Sequence, residues 1–242
     1  MDWQAEYAKV VALDDEGEAS TSITSKPQAI KTPANNVLAF LDLLLAQEGG
    51  EWWTKLRRRA NRALVTKKNV SKSTKSDGQD VLLDESDKKK LKAMKKRLAA
   101  IAGDLIVKLP ELNASVSTNK STKVRVLQLQ LLCRMLRYGV LVKKHKEQRK
   151  QLKKEIRGLL DRVALLLDAE NPPSLADEDE RSPFQEFLQP QLTTRLQLLL
   201  PELVKFLLRA YELDDEEETK GAEENDTLNA LLPTVRLLVA FC

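Results

Sequence analysis

Leucines recur at helical spacing through residues 123–168, the longest stretch of the chain with this periodicity. The 242 residues include 43 leucines. Within 123–136 the apolar side chains are spread around nearly the whole circumference of a helix, at Val124, Val126, Leu127, Leu129, Leu131, Leu132, Met135 and Leu136. A helix that is apolar on most faces must be enclosed by other elements. The segment therefore predicts a central helix, with a break near Gly139 before a second, amphipathic helix.

Amphipathic helices are predicted on both sides of this segment. Residues 87–109 carry apolar side chains at intervals of three or four positions, at Leu91, Met94, Leu98, Ile101, Leu105 and Leu109. This spacing places them on one face of a helix. Similar patterns predict helices over 2–13, 36–48, 52–65 and 227–242. Another helix is predicted to begin at Pro183, with Ser182 as its N-cap.

Glycines and prolines set the expected helix ends. Gly49-Gly50 and Pro110 are each expected to end the helix before them. Pro190 is expected to end the helix that Ser182 caps. Pro201 lies inside an apolar pattern of helical spacing, so we expect it to kink or restart that helix.

Composition agrees with an all-α fold, an irregular multi-helix domain with long polar loops. Eight glycines, nine prolines and 5% aromatic residues fit poorly with a sheet protein, whose turns and strands need more of them. We expect an N-terminal helix and flexible linker over 1–35, followed by a single helical domain over 36–242. Mobile loops are expected near 66–86, 113–122, 169–182 and 213–226.

Residues that commonly carry catalysis or bind metals are scarce. His145 is the single histidine and stands among lysines, twelve residues after Cys133. The sequence contains no clustered Cys or His pattern of a zinc site and no glycine-rich phosphate-binding loop. We therefore predict a non-enzymatic protein that uses no metal and no cofactor.

The cysteine count and the length of the uncharged runs indicate the environment in which the chain folds. Cys133 and Cys242 are too few for a disulfide framework, which favours a reducing, intracellular environment. No uncharged run exceeds ten residues, so we predict no membrane span.

Basic side chains are concentrated in the middle of the chain. Residues 51–150 hold 27 basic and 9 acidic side chains, whereas 201–242 hold 4 and 10. The clusters at 57–59 and 88–97 are candidates for phosphate contact or nuclear localisation. The alternative for both clusters is a solvated face of an amphipathic helix.

The adjacent Trp52 and Trp53 are a second candidate contact. On a helix they point about 100° apart, so both rarely enter one core, and an exposed tryptophan is a common interface anchor. The alternative is one tryptophan in the core and one half-covered by its neighbours.

A longer pattern extends from Lys123 to Tyr211. It opens with 124–132 (VRVLQLQLL), in which glutamines alternate with apolar residues, and continues after a basic stretch with 156–167 (IRGLLDRVALLL). The segments 184–188 (FQEFL) and 199–207 (LLPELVKFL) follow an acidic loop. In these motifs the sequence resembles the central helical domain of the Treslin family of DNA replication-initiation proteins.

The resemblance implies a nuclear, non-catalytic adaptor in the initiation of DNA replication. Such a domain binds cell division control protein 45 and brings it to the loaded minichromosome maintenance helicase at origins. The resemblance does not assign binding residues one by one, and we expect the working surface on the basic helices. The candidates for partner or nucleic-acid binding are Arg134, Arg137, Lys143, Lys144, Lys146, Lys92, Lys95 and Lys96.

Two alternative functions follow from the same features. One is a basic helical nucleic-acid-binding protein of chromatin or ribosome assembly, which predicts tight, salt-dependent binding to DNA or RNA. The other is a structural subunit of a larger helical assembly, which predicts apolar interfaces and poor solubility of the chain alone. The adaptor hypothesis predicts at most weak DNA contact and a stable protein complex.

Overall fold

The computed structural model describes residues 1–12, 33–69, 83–115, 119–142, 144–169 and 181–213. These ranges form helices and no strand, which confirms the predicted all-α fold class. In chain order the elements are α1 (Trp3–Ala12), α2 (Pro33–Asn69), α3 (Glu85–Leu105), α4 (Leu109–Ser115), α5 (Lys120–Tyr138), α6 (Lys146–Asp168), α7 (Pro183–Glu186), a π-helical segment (Phe187–Thr193), α8 (Thr194–Leu196) and α9 (Pro201–Ala210).

Helix α5 is the centre of the domain, as its sequence predicts. Of its 19 residues, 13 are buried. Helices α3 and α6 pack along it, and α1 and α2 also contact it. Leu127, Leu131 and, on α6, Leu159 are no more than 1% exposed. Fully burying one leucine contributes about 1.5–3 kcal/mol relative to leaving it in water, so this helix is a main source of stability.

Helix α2 contains the predicted stop as a kink. Gly50 has a φ of 57° and a ψ of −152°, a backbone conformation that residues with a Cβ rarely adopt. The helical segments on either side both face the core, since Leu41 before the kink and Trp53 after it are almost fully buried. The two helices predicted over 36–48 and 52–65 are therefore the two arms of one kinked element.

Helix boundaries in residues 181–213 follow the sequence signals. The Ser182 hydroxyl accepts from the Gln185 N–H, and the Gln185 side chain accepts in return from the Ser182 N–H. This capping box satisfies N–H groups that the first turn leaves unpaired. Pro201 begins α9 directly after Leu200, whose backbone is non-helical, so the predicted restart is confirmed.

Two other proline predictions are wrong. Pro110 does not end α3, which stops at Leu105; it lies in the first turn of α4, where a missing N–H needs no partner. Pro190 lies inside the π-helical segment instead of ending a helix. The wider π turn displaces the carbonyl that a proline ring meets in an α-helix.

Helix α1 packs onto the central core. The ring of Trp3 meets the edge of Phe40 with centroids 6.1 Å apart, and Tyr7 does the same at 6.5 Å. The Tyr7 hydroxyl also accepts a hydrogen bond of 2.9 Å from Nε2 of Gln130 on α5. The N-terminal helix predicted over 2–13 is thus confirmed and lies against the rest of the domain.

The predicted loops are shorter than expected where the structure describes them. Residues 113–115 and 120–122 belong to α4 and α5, and 66–69 belong to α2. Residues 13–32, 70–82, 116–118, 170–180 and 214–242 lie outside the described ranges, including the helix predicted over 227–242. No helix of the described ranges is long and apolar enough to cross a membrane.

Candidate protein-binding surface at the end of α5

Backbone hydrogen bonds join several of the described residues in the connection between α5 and α6. The Leu141 N–H donates to the Tyr138 carbonyl at 3.1 Å, and the His145 N–H donates to the Val142 carbonyl at 2.9 Å. A Cβ at Gly139 would come within 2.6 Å of a Leu200 methyl carbon. Glycine therefore lets the end of α5 lie directly against the residues that precede α9.

Arg149 links this connection to the neighbouring helices through several contacts. Its Nη1 donates to the Leu141 carbonyl at 2.6 Å and its Nη2 to the Tyr138 hydroxyl at 2.7 Å. The guanidinium also lies 4.5 Å from the centre of the Tyr138 ring, and Nη2 is 3.5 Å from a carboxylate oxygen of Glu202. One side chain of α6 thus joins the end of α5, the connection and the start of α9.

Three predicted lysines share one flank of α3, because Lys95 and Lys96 follow Lys92 by three and four positions on the helix. Lys92 and Lys96 are exposed, and Lys95 is half-buried. Burial lowers the pKa of Lys95, and the nearby Glu202 carboxylate opposes that shift. Since Glu202 also pairs with Arg149, Lys95 lies on the side of α3 that is near the start of α9.

Arg137 links the same flank to α5. Its side chain is exposed, and a Cβ at Gly103 of α3 would come within 3.3 Å of its Nη1. The absence of a side chain at position 103 therefore leaves room for the guanidinium on α3.

Lys144 and Lys146 complete the group of cations. Both are exposed at the start of α6, whereas Lys143 lies outside the described residues. We call the set of six the basic surface: Lys92, Lys95, Lys96, Arg137, Lys144 and Lys146. Within the described ranges none of the six has an ion-pair partner. The charges of the five exposed cations are therefore available to solvent or to another molecule, whereas Lys95 is half-buried near Glu202.

Arg134 does not belong to the basic surface, and its prediction as a binding residue is wrong. It is 1% exposed. Its Nε donates to Glu155 at 3.0 Å, its Nη1 to Gln130 Oε1 at 2.8 Å and its Nη2 to the Val107 carbonyl at 2.8 Å. A buried cation is tolerated when it is paired and hydrogen-bonded in this way. Arg134 joins α5 to α6 and to the segment after α3.

Several cations of the other basic clusters are held in intramolecular pairs. Arg59 is 2.7 Å from Asp87, and Arg97 is 3.0 Å from Glu48. Arg57 pairs more loosely with a carboxylate of the same helix at 3.3 Å. Arg59 and Arg97 thus join α2 to α3, and Arg57 joins the two arms of the kinked α2, which distinguishes all three from the basic surface.

The tryptophan pair follows the second interpretation of the sequence. Trp53 is 2% exposed in the core, and Trp52 is half-buried. The Trp52 Nε1 donates to Asp87 at 2.6 Å, which anchors α2 to the start of α3.

The described residues offer little for metal or nucleophile chemistry. They contain no group of three or more His, Cys, Asp or Glu side chains that could hold a metal ion. Cys133 is buried, and burial raises the pKa of its thiol to about 12. His145 is exposed just before α6 and makes no side-chain cap to it.

Sequence reasoning missed Arg149 and Val142, which shape the site. Arg149 stands in a run of lysines and glutamines, and an arginine in such a run can make the directed, multiple hydrogen bonds that a lysine cannot. The single arginine in this run was the sequence signal that could have indicated a structural contact. Nothing in the sequence marked Val142.

Comparisons with known proteins give no match. No family model fits the chain, no curated protein is similar to it in sequence, and no solved structure is similar to it in fold.

Proposed function

We propose that this chain is a non-enzymatic adaptor that recruits a protein partner through the basic surface. The supporting observation is the contrast among its cations. Arg59, Arg97 and Arg134 are paired within the domain, whereas the six cations of the basic surface have no ion-pair partner in the described ranges. Cations gathered on a rigid helical body produce a local positive potential that attracts an acidic partner.

The partner we propose is cell division control protein 45, recruited to the loaded helicase during initiation of DNA replication in the nucleus. The support is the resemblance of residues 123–211 to the central helical domain of the Treslin family. The segment 124–132, which opens that resemblance, lies in the buried part of α5. Arg137 of the basic surface lies near the other end of the same helix, and Lys144 and Lys146 follow that end in the chain.

The test measures binding of the full chain to purified cell division control protein 45 and, in parallel, to short duplex DNA. Size-exclusion chromatography detects the protein complex, and stopped-flow mixing at low and physiological salt gives the association rate. The adaptor is supported by a stable protein complex, weak DNA binding and an association rate that falls steeply with salt.

The other outcomes decide between the alternatives. DNA binding that is tighter than protein binding, with an affinity that falls linearly with salt on logarithmic axes, would replace the adaptor by a nucleic-acid-binding protein. A chain that binds neither and stays insoluble alone would favour a structural subunit.

A further inference from the structure

Val142 is an exposed apolar side chain that lies along the chain between two cations of the basic surface, Arg137 and Lys144. It is 55% exposed, and among the described residues only Met1, Leu43 and Leu165 are other large hydrophobic residues classed as exposed. Arg137 precedes Val142 by five residues, and Lys144 and Lys146 follow it closely. None of the other three exposed apolar residues belongs to the connection that carries these cations.

The backbone carbonyls of Val142 and of the residue before it both accept hydrogen bonds. The Val142 carbonyl accepts from His145, and the neighbouring Leu141 carbonyl accepts from Arg149 at 2.6 Å. A side chain presented by a fixed backbone loses little conformational freedom when a partner covers it. Val142, whose own carbonyl is hydrogen-bonded, can therefore contribute apolar contact to binding without a large ordering cost.

We propose that Val142 and the cations around it bind an acidic segment of the partner protein that carries one apolar side chain between its carboxylates. This inference rests on the proposed function and specifies what the basic surface recognises. The carboxylates would meet Arg137, Lys144 and Lys146, and the apolar side chain would cover Val142. Phosphate groups of a nucleic-acid backbone offer no apolar group for Val142, so an acidic protein segment fits this surface better than DNA.

The test uses two fluorescein-labelled peptides with the full chain. Both are short runs of Asp and Glu; one has a central Leu and the other has Ser in its place. Fluorescence anisotropy should give about fivefold tighter binding of the Leu peptide, because burial of one small apolar contact adds to the same charge attraction. Val142→Ser should remove this difference and keep the weaker binding that both peptides share.

Leu165→Ser is the matched control. Leu165 is 66% exposed on α6, near the opposite end of that helix from the basic surface. This variant makes a comparable exposed change and should leave the preference for the Leu peptide intact.

Three results would overturn the inference. They are equal binding of the two peptides to the unmodified chain, a preference that survives Val142→Ser, and a loss of duplex DNA binding in Val142→Ser as large as the loss of peptide binding. If the purified partner binds while the peptides bind equally, this inference fails and the proposed function stands. If the partner does not bind, the proposed function fails. The difference in binding between the Leu and Ser peptides still decides whether Val142 contributes to binding of acidic segments.

Discussion

Arg134 and Arg137 lie one helical turn apart on α5 in opposite environments. Arg134 is 1% exposed and donates to a carboxylate, an amide and a backbone carbonyl. Arg137 is exposed, and its guanidinium lies close to Gly103. The same residue type thus organises the core at one position and faces solvent at the next turn. In this chain the acceptors around a cation, and not its charge, decide whether it is available to a partner.

The buried cation is part of a polar network inside a leucine-rich core. Gln130 accepts from Arg134 and from the Val107 N–H, and donates to the Leu105 carbonyl and the Tyr7 hydroxyl. All its amide groups are therefore used. Such a network is costly to interrupt, since each group left unpaired in a low-dielectric interior loses its solvation as well as its bond.

The largest effect is expected for Arg134→Ala. The change removes the guanidinium that donates to Gln130, to the Val107 carbonyl and to Glu155, so the free energy of unfolding should fall by about 3–5 kcal/mol. Urea denaturation followed by circular dichroism measures this loss. Arg137→Ala is the matched control and should cost less than about 0.5 kcal/mol, as for other exposed substitutions. Equal losses in the two variants would contradict the contrast between the two arginines.

Gln130→Met is expected to have the next largest effect. Methionine keeps the size of the side chain but leaves the Val107 N–H, the Leu105 carbonyl and one N–H group of Arg134 without their partner. The free energy of unfolding should fall by about 2–4 kcal/mol. Thermal or urea unfolding monitors the change. A neutral result would mean that the network contributes nothing to stability.

Asp87→Ala tests whether the ion pair of Arg59 stabilises the fold, as the buried pair of Arg134 does. It removes the acceptor of both Arg59 and the Trp52 indole, so we expect a loss of about 1.5–3 kcal/mol at neutral pH. Asp104→Ala, at an exposed carboxylate of the same helix, provides the control. Comparable losses at the two positions would place Arg59 among the surface cations.

The pH dependence of the free energy of unfolding is a second test of how much the ionised Asp87 carboxylate stabilises the fold. The hydrogen bond from Trp52, with the Arg59 charge, holds the pKa of this carboxyl below its ordinary value of 3.8 despite its burial. The native state therefore releases this proton more readily than the unfolded chain does. Its contribution to stability is complete at pH values well above 3.8 and is lost as the pH falls below that value. Unfolding measured through this window should be less pH-dependent in Asp87→Ala than in the Asp104→Ala control.

Gln128→Met is expected to have the smallest effect, and of opposite sign to Gln130→Met. Gln128 is fully buried, and neither of its amide atoms has a hydrogen-bond partner in the described ranges. Methionine removes the unpaired polar atoms at nearly constant volume, so the free energy of unfolding should rise by about 1 kcal/mol. A loss of stability would indicate that Gln128 has a partner after all.

The features that the sequence predicted are those set by local patterns. Leucines on most faces of 123–136 required a buried helix, and Ser182 and Pro201 act within a single helical turn. Pro110 and Pro190 were assigned wrongly because a proline fits several positions, and the choice depends on where the neighbouring helices run.

The site was only partly predictable for a related reason. Arg134 follows Leu127 by seven residues and so shares its face of the helix. Because α5 is apolar on most faces, the sequence pattern does not show which face is buried, and the burial of Arg134 could not be predicted from it. Near the basic surface, Arg149 and Glu202 join α5, α6 and α9 across more than fifty residues of sequence. Spacing along the chain carries no information on such a contact.

The most direct test compares partner binding and stability in one charge-reversal variant. Its three changes are Arg137→Glu, Lys144→Glu and Lys146→Glu. The control variant has the same change in net charge at three exposed cations outside the basic surface. Its substitutions are Lys55→Glu, Arg58→Glu and Lys108→Glu. We predict binding to cell division control protein 45 at least about tenfold weaker in the first variant, with an unchanged urea midpoint and normal binding in the control. Undiminished binding by the folded first variant would contradict a role for the basic surface.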